Sequence, residues 1–480
     1  MTELHVTNGS LVIPEMGIIP GTLVIVDGRV DRIVRAGEDA GTPDREIDAD
    51  GKYVMPGFID PHLHSGILPP LGERLQAESA FAAAGGITTT IRYVRRTESY
   101  MGTFPTLAEF DQKNQYQDFT HHLTLFTAEQ ASEMRRYVEE LGITSFKLYM
   151  NLKGPLGKGV LMDLLPDSGD EMSPGDVDFD EGHMYDVFDT AARLPARVRI
   201  NVHCELGSIV QKEMERVQEM GLEGLPAWHA SRPGFSEALA IQMVASFSHR
   251  FGVPVYYPHI GSHEAIEALA DARRLGADFV AETCPQYVSL STESEAGTLA
   301  KVMPPVRTTD DATAVWLGIN DDLLTCLGSD HIAYTLEEKK PGSIWTTRPA
   351  FGGTGMMIPI FLSEGVNRGR ISISRLAELG SYNTAKAFGL YPRKGTLLPG
   401  SDGDFVIVDL EKEWAVHAEQ LLSASDYSVY EDMTLKGVVA VTAVRGEVIY
   451  EDGKLVGSPG SGRFCRRFPE IQHDSTYASS

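Results

Sequence analysis

The segment GFIDPHLHSG carries the sharpest chemical signal in the chain. His62 and His64 stand two residues apart at the end of an apolar run. Side chains alternate along a strand, so both imidazoles face one way and can share a metal ion. Four further residues stand at comparable positions: Lys147 in SFKLYM, His203 in RINVHCE, His259 in VYYPHIG and Asp330 in CLGSDH. Four histidines and an aspartate behind short apolar runs match the ligand preferences of zinc-like cations. A single H-x-H is as readily two packed histidines; its recurrence with partners at other strand ends is what favours a metal centre. Lys147 fits less simply, because cations repel an ammonium. It either pairs with a neighbouring carboxylate or reacts with carbon dioxide. The resulting carbamate is an anion whose two oxygens can bridge two metals about 3.5–4 Å apart.

For such residues to meet, the chain must bring several strand ends to one place. Between 55 and 390, short apolar runs alternate with helical patterns. Candidate strands fall near 58–62, 87–93, 123–126, 143–149, 198–203, 253–259, 278–282 and 323–329. Ser262 is placed to cap a helix through Leu275, with Glu264 in its first turn and Gly276 just past its end. Eight strand–helix repeats predict an α/β fold of the (β/α)8 TIM-barrel kind, with its active site at the C-terminal strand ends. A doubly wound open sheet is the alternative. No G-x-G-x-x-G turn follows the first strand, which argues against its dinucleotide-binding form.

Both ends of the chain read differently. LHVTNGSLVI, GTLVIVDG and RVDRIVRAG near the start, and GDFVIVDL, VVAVTAVRG and EVIYEDGKLVG near the end, alternate apolar and polar residues about Asn-Gly and Asp-Gly turns. They predict one composite β-sandwich from residues 1–54 and 396–458, flanking a barrel over 55–395, with 459–480 as a C-terminal arm. Residues 154–181 break the barrel rhythm. From Leu161 to Glu181 there are eight carboxylates and no lysine or arginine. An insertion after the fourth strand leaves from the catalytic face, either as a lid or as a solvated loop.

Composition narrows the partners. The chain has 480 residues, 42 Lys+Arg against 67 Asp+Glu, and a net charge of −25. Such an acidic balance argues against nucleic acid and against an anionic membrane surface. No apolar run approaches the roughly 20 residues needed to span a bilayer. The first residues carry neither a basic nor an apolar signal region. Four cysteines, Cys204, Cys284, Cys326 and Cys465, show no paired spacing and fit a reducing compartment. A cytoplasmic protein acting on a small molecule is expected.

Taken in order, VMPGFIDPHLH, SFKLYM, LPAWHASRP, EALAI, ETCPQY, GSDH, NTAKAFGLYPRKGTLLPGSDGDFVIVD and KGVVAVTAVRGEVIYEDGKLVG resemble segments of the amidohydrolase superfamily. The resemblance is to its cyclic amidase branch, which includes dihydropyrimidinase, hydantoinase and allantoinase. It implies two divalent ions, zinc foremost. His62, His64, carboxylated Lys147 and Asp330 would hold one, and Lys147, His203 and His259 the other. It also implies hydrolysis of a cyclic amide C–N bond, with Asp330 moving a proton from the attacking water to the leaving nitrogen. Relatives are commonly dimers or tetramers, and the tail SPGSGRFCRRFPEIQHDSTYASS resembles a basic-aromatic arm that reaches a neighbouring subunit.

The chain departs from these relatives where substrate would sit. Leu152 stands where hydantoinases and dihydropyrimidinases usually carry an oxyanion-donating tyrosine. Tyr149, on the same strand face as Lys147, either substitutes for it or packs the barrel. Met303 and Phe351 replace smaller polar residues near backbone groups that hold substrate. Gly66 stands where dihydroorotases carry an arginine. The stretch TTTIRYVRRTESY places Arg92, Arg95 and Arg96 near the catalytic mouth. Arginines there either pair with a substrate carboxylate or form structural salt bridges. A bulky or carboxylated substrate is therefore expected. An allantoinase-like ureide or a linear amide or carbamoyl compound is the alternative, and a non-catalytic scaffold a third reading. His121 and His122 are expected just before the third strand as structural residues, His331 beside substrate or behind a ligand, and Cys204 in packing.

Overall fold

The computed structural model describes residues 2–166, 169 and 171–467. Eight parallel strands follow one another round a sheet in chain order. They are β1 Phe58–Leu63, β2 Ile87–Val94, β3 Asp118–Thr124, β4 Ser145–Tyr149, β5 Arg199–His203, β6 Val255–Tyr257, β7 Phe279–Thr283 and β8 Cys326–Leu327. The sheet closes just past β8, where Leu63 bridges His331 in parallel. There the His64 amide donates to the His331 carbonyl at 2.9 Å. The Ser329 amide donates to Asp60 Oδ1 at 3.2 Å. Closure removes the open-sheet alternative, and the fold is the expected (β/α)8 barrel.

Local rules explain most elements. The helix His263–Leu275 starts as expected, with Ser262 Oγ accepting from the Ala265 amide at 3.1 Å. It ends at Gly276, whose φ of 82° is a left-handed conformation that glycine adopts without a Cβ clash. The third strand differs from expectation. It begins at Asp118, so His121 and His122 lie inside it. Every residue of DFTHHLT is buried, and a strand covered on both faces carries no alternation to read. His121 points out to Asp111 at 2.6 Å. His122 points inward and reaches the Pro61 carbonyl at 3.1 Å.

The two ends of the chain build one nine-stranded sheet. Tyr53–Pro56 runs antiparallel to Phe405–Ala415, which in turn pairs with Thr434–Val444. Leu4, Val6, Leu23, Ile25 and Val54 from one end share a core with Phe405, Ile407, Val441 and Ala443 from the other. Described residues of the expected arm lie against their own barrel. Phe464 bridges Phe119 at the start of β3, and Arg467 Nη1 donates to Ser145 Oγ at 2.7 Å. The rest of the arm, from residue 468, lies outside the described residues. Among the described residues no helix is long and apolar enough to cross a membrane.

The acidic insertion is built into the barrel mouth. Val160–Met162 and Ser173–Gly175 form a short antiparallel hairpin; Asp167, Ser168 and Asp170 near its tip are outside the described residues. Its base is anchored by charge. Buried Arg92 donates through Nε to Asp111 Oδ2 at 2.8 Å and through Nη1 to Asp163. Asp163 also accepts from the Arg95 amide at 2.7 Å. Arg92 is therefore a structural clamp and not a substrate residue. Replacing it with methionine would leave two buried carboxylates without their cation. A loss of about 3–5 kcal/mol of stability is expected, read from urea unfolding. A loss below about 1 kcal/mol would mean that solvent already reaches the pair.

Candidate metal centre

The barrel brings the six expected ligands from five strand ends to one place. β1 supplies His62 and His64, whose ring centroids are 5.6 Å apart. Asp330, three residues past β8, sets Oδ1 3.1 Å from His62 Nε2 and 3.7 Å from His64 Nε2. Potential ligand atoms of these three all lie within 4.8 Å of one another. Just past β6, His259 places its ring 5.2 Å from that of His62 and 4.5 Å from that of His203 at the end of β5. Lys147 of β4 is fully buried, its Nζ 4.6 Å from the Tyr93 ring centroid and 4.9 Å from that of Tyr149. His259 and Asp330 both sit in left-handed backbone, at φ 47° and 53°. Such a conformation costs roughly 1–3 kcal/mol in a non-glycine residue and persists where the surroundings impose it.

Carboxylates behind the histidines fix their orientation. Glu282, at the end of β7, meets His62 Nδ1 at 2.8 Å, the Tyr256 hydroxyl at 2.5 Å and the His259 amide at 3.0 Å. Glu205 meets His203 Nε2 at 2.7 Å and is itself held by Arg232 at 2.6 Å. Asp60 accepts from Ser329 Oγ at 2.6 Å and Thr354 Oγ1 at 2.7 Å, tying β1 to the turn that carries Asp330. A histidine held at one nitrogen presents the other in a defined direction, as metal ligands require. None of these three carboxylates was singled out from the sequence. Glu282 obeys the strand-end rule that selects His203, and Glu205 lies two residues beyond that histidine, so both were open to the same reasoning.

Charge in the site matches a bound cation. Burial opposes a proton on His62, but the Glu282 and Asp330 carboxylates outweigh it and hold its pKa up at about 9. The same negative field attracts any cation. Burial, and then neighbouring positive charge, pushes His64 and His259 well below the ordinary histidine value. Burial also lowers His203, against the pull of Glu205. Neutral imidazole is the form that binds metal. Burial drops the Lys147 amine to about 8, so much of it is unprotonated in mildly alkaline water. Lys147 Nζ, His64 Nδ1 and His259 Nδ1 are buried without hydrogen-bond partners. Buried polar atoms are normally satisfied, so these three are open to another group. The donor set fits two divalent cations and a carboxylated lysine.

A cavity of about 370 Å³ opens over the site. Of the expected substrate residues, Arg95, Tyr149, Leu152 and Met303 line it. Arg96 and Phe351 do not. Arg96 turns away and donates to the Asp163 carbonyl at 2.8 Å, with Glu98 at 3.2 Å. Phe351 follows Ala350, whose φ of 80° swings the chain. Pro349 and Ala350 therefore face the cavity, and the Phe351 ring lies against Tyr430. The insertion supplies Leu156, Lys158, Gly159, Val160 and Leu161 to the wall. His331 stands behind the site: its Nδ1 accepts from the Gly353 amide at 2.9 Å, and Nε2 meets Glu78 at 2.7 Å. Cys204 is buried in the hydrophobic core, as expected.

If Glu282 orients this centre, a Glu282→Gln chain that still folds should release metal more readily. Chelator competition should show affinity lower by about 10–100-fold. Unchanged affinity would reduce Glu282 to a packing role.

The Amidohydrolase family profile matches residues 254–449. An L-hydantoinase of Paenarthrobacter aurescens is 31% identical, over 97% of this chain and 98% of its own length. A D-hydantoinase of Rhizobium radiobacter is 30% identical, over 97% of this chain and 99% of its own. The solved structure of an L-hydantoinase (dihydropyrimidinase) from Arthrobacter aurescens superposes with a TM-score of 0.86 at 30% identity. It covers 97% of this chain and 99% of that one. Likeness at this level, sustained over nearly the full length of each relative, gives the site its lineage: the chain belongs to the amidohydrolase superfamily, in its cyclic amidase branch with the hydantoinases and dihydropyrimidinases.

Proposed function

We propose that the chain opens a hydantoin- or dihydropyrimidine-like ring by hydrolysing its amide C–N bond at a pair of divalent cations, zinc in the first instance. The observation that carries this reading is Lys147. Its amine is buried, partnerless and lowered to about 8 by burial, beside four histidines and an aspartate. A neutral amine in that position is the reactive form toward carbon dioxide, and its carbamate would give both cations an anionic ligand. His62, His64, carboxylated Lys147 and Asp330 would hold one ion, and Lys147, His203 and His259 the other. Two divalent cations held by these residues would supply a hydroxide near neutral pH and polarise the scissile carbonyl.

The remaining steps belong to the chain. Asp330 lines the cavity beside His62 and His64, placed to accept the proton of the attacking water and return it to the leaving nitrogen. Burial keeps the Tyr149 phenol protonated, so it can donate to the carbonyl oxygen as negative charge develops there. Leu152 and Met303 give the ring an apolar wall. The Glu205–Arg232 and Glu282–Tyr256 pairs hold the histidines still while charge moves.

Metal analysis of zinc-grown protein beside a Lys147→Ala variant tests the reading. About two ions per chain are expected in the parent, with a collapse of both metal and turnover in the variant. Ring opening adds one water without splitting the molecule, so product mass separates it from cleavage of a linear amide. A folded, metal-free parent that the substitution leaves unchanged would remove the hydrolase reading.

A further inference from the structure

The cavity over the metal centre has a charge pattern that runs against the rest of the molecule. The chain carries a net charge of −25, yet among the described residues Asp330 is the one carboxylate lining the cavity, and it is a candidate ligand. Arg95, Arg348 and Lys158 line the same cavity. Lys158 is largely solvated and pairs with Asp176 at 2.9 Å. The two arginines have no carboxylate partner among the described residues.

Arg95 is the sharper case. Its Nε and Nη2 are buried without hydrogen-bond partners. Arg95 is half-buried as a residue; the fully buried arginines Arg232, Arg307 and Arg467 also leave Nε unpaired, but each has other partners for its guanidinium. Arg92 has Asp111 at 2.8 Å, Arg232 has Glu205 at 2.6 Å and Arg307 has Glu237 at 3.1 Å. Buried Arg467 lacks a carboxylate among the described residues but donates to Ser145 and to the His121 carbonyl. A guanidinium left with unused buried donors is costly, and such groups call for an explanation. Arg95 is also held firmly in place. Its amide donates to Asp163 Oδ2 at 2.7 Å, its carbonyl accepts from the Asp163 amide at 2.9 Å, and Asp163 is clamped by Arg92. The side chain bears electrostatically on His64, Tyr149 and Tyr334, which places it beside the ligands.

Arg348 lines the same cavity from the loop just before Ala350. Its guanidinium lies 5.8 Å from the Tyr334 ring centroid, and Tyr334 feels both arginines. Among the described residues the guanidinium has one hydrogen-bond contact, Met172 Sδ at 3.3 Å. The loop that carries it is pinned by two buried lysines. Lys301 Nζ donates to the Thr347 carbonyl at 2.6 Å, and Lys339 Nζ to the Ala350 carbonyl at 2.5 Å. The Arg348 amide adds a bond to the Lys339 carbonyl at 3.0 Å. The backbone under each of the two cations is thus anchored by separate means at one cavity wall.

We infer that the substrate ring carries a carboxylate-bearing side arm, which Arg95 and Arg348 bind where they line the cavity with Tyr334. This rests on the ring-hydrolase reading and deepens it by naming the substrate class. Guanidinium groups match carboxylates through paired, charge-assisted hydrogen bonds. Ring opening by water breaks the amide C–N bond, puts its hydroxyl on the former carbonyl carbon and a hydrogen on the nitrogen, which becomes a neutral ureido NH2; the new carboxylic acid then releases a proton to leave a second carboxylate. The product is then a dicarboxylate. The reaction that consumes it must accept an N-carbamoyl acidic amino acid or its homologue.

The test compares hydantoin-5-acetic acid with its uncharged near-isostere, hydantoin-5-acetamide, on zinc-loaded full-length protein. Calorimetric binding and ring-opening rates are both followed. The acid should bind at least about tenfold better than the amide, and the preference should appear in KM more than in kcat. Arg95→Ala should erase most of that ratio, Arg95→Lys should keep part of it, and Arg348→Ala should reduce it less. Equal binding of acid and amide to the parent overturns the inference without needing any variant. It would leave carboxylated Lys147 as the anion that Arg95 serves. Opening of either ring, or of unsubstituted hydantoin or dihydrouracil, keeps the hydrolase reading alive in that event. If no ring opens, that reading fails, while the acid-to-amide binding ratio still judges the arginine pair by itself.

Discussion

A carboxylate stripped of water near the barrel axis is the constraint on which this site depends. Glu282 is fully buried, and burial alone would push its carboxyl toward the neutral form. Contact with His62 and hydrogen bonds from Tyr256 and the His259 amide reverse that and keep it ionised. A buried charge survives only when its surroundings satisfy it, and here the satisfying groups include two of the candidate ligands. What keeps the carboxylate charged is therefore also what aims the imidazoles. The left-handed turn at His259 follows from the same arrangement, because it brings that amide back toward Glu282.

The same device recurs outward. Glu205 and Arg232 hold His203, and Arg92 between Asp111 and Asp163 ties the insertion to β2. At the opposite end of the barrel, Lys394 gathers Asp118 at 2.6 Å, Asp402 at 3.0 Å and Asp404 at 2.6 Å, joining β3 to the terminal sheet. Each interior charge of these clusters meets its opposite. Lys147 and Arg95 break the pattern, one below the cavity floor and one in its wall. The electrostatics of the fold thus separate groups that hold the structure from groups left open to something it does not itself contain.

Much of this was legible in the residues. The barrel followed from repeated strand–helix alternation, and the six ligand positions from their places behind apolar runs. Alternation fixes direction along a strand, so His62 and His64 had to face together. The rule lapses where the strand stops. β2 ends at Val94, and nothing in RYVRR says that Arg95 turns inward while Arg96 turns back to the insertion. It lapses again where both faces are covered, which is why β3 began earlier than its apolar pattern suggested. Phe351 was misplaced for a third reason, since the backbone turn at Ala350 depends on lysine clamps from distant positions. The insertion read as acidic and loose. Its anchoring aspartate, Asp163, is one of eight carboxylates there, and composition cannot say which one is buried.

The terminal sheet imposes an order on synthesis. Strands from residues 3–56 emerge first, yet Tyr53–Pro56 finds its antiparallel neighbour only in Phe405–Ala415. Six of the sixteen buried residues of the shared core, including Phe405, Ile407, Val441 and Ala443, leave the ribosome after the whole barrel. Until then the early hairpins present an unpaired edge and uncovered apolar side chains, the combination that invites aggregation in nascent chains. Completion of the sheet by the late strands then fastens the two ends together across the finished barrel. The chain is in effect buckled shut, and a product truncated before residue 405 would lack the strand that closes the buckle.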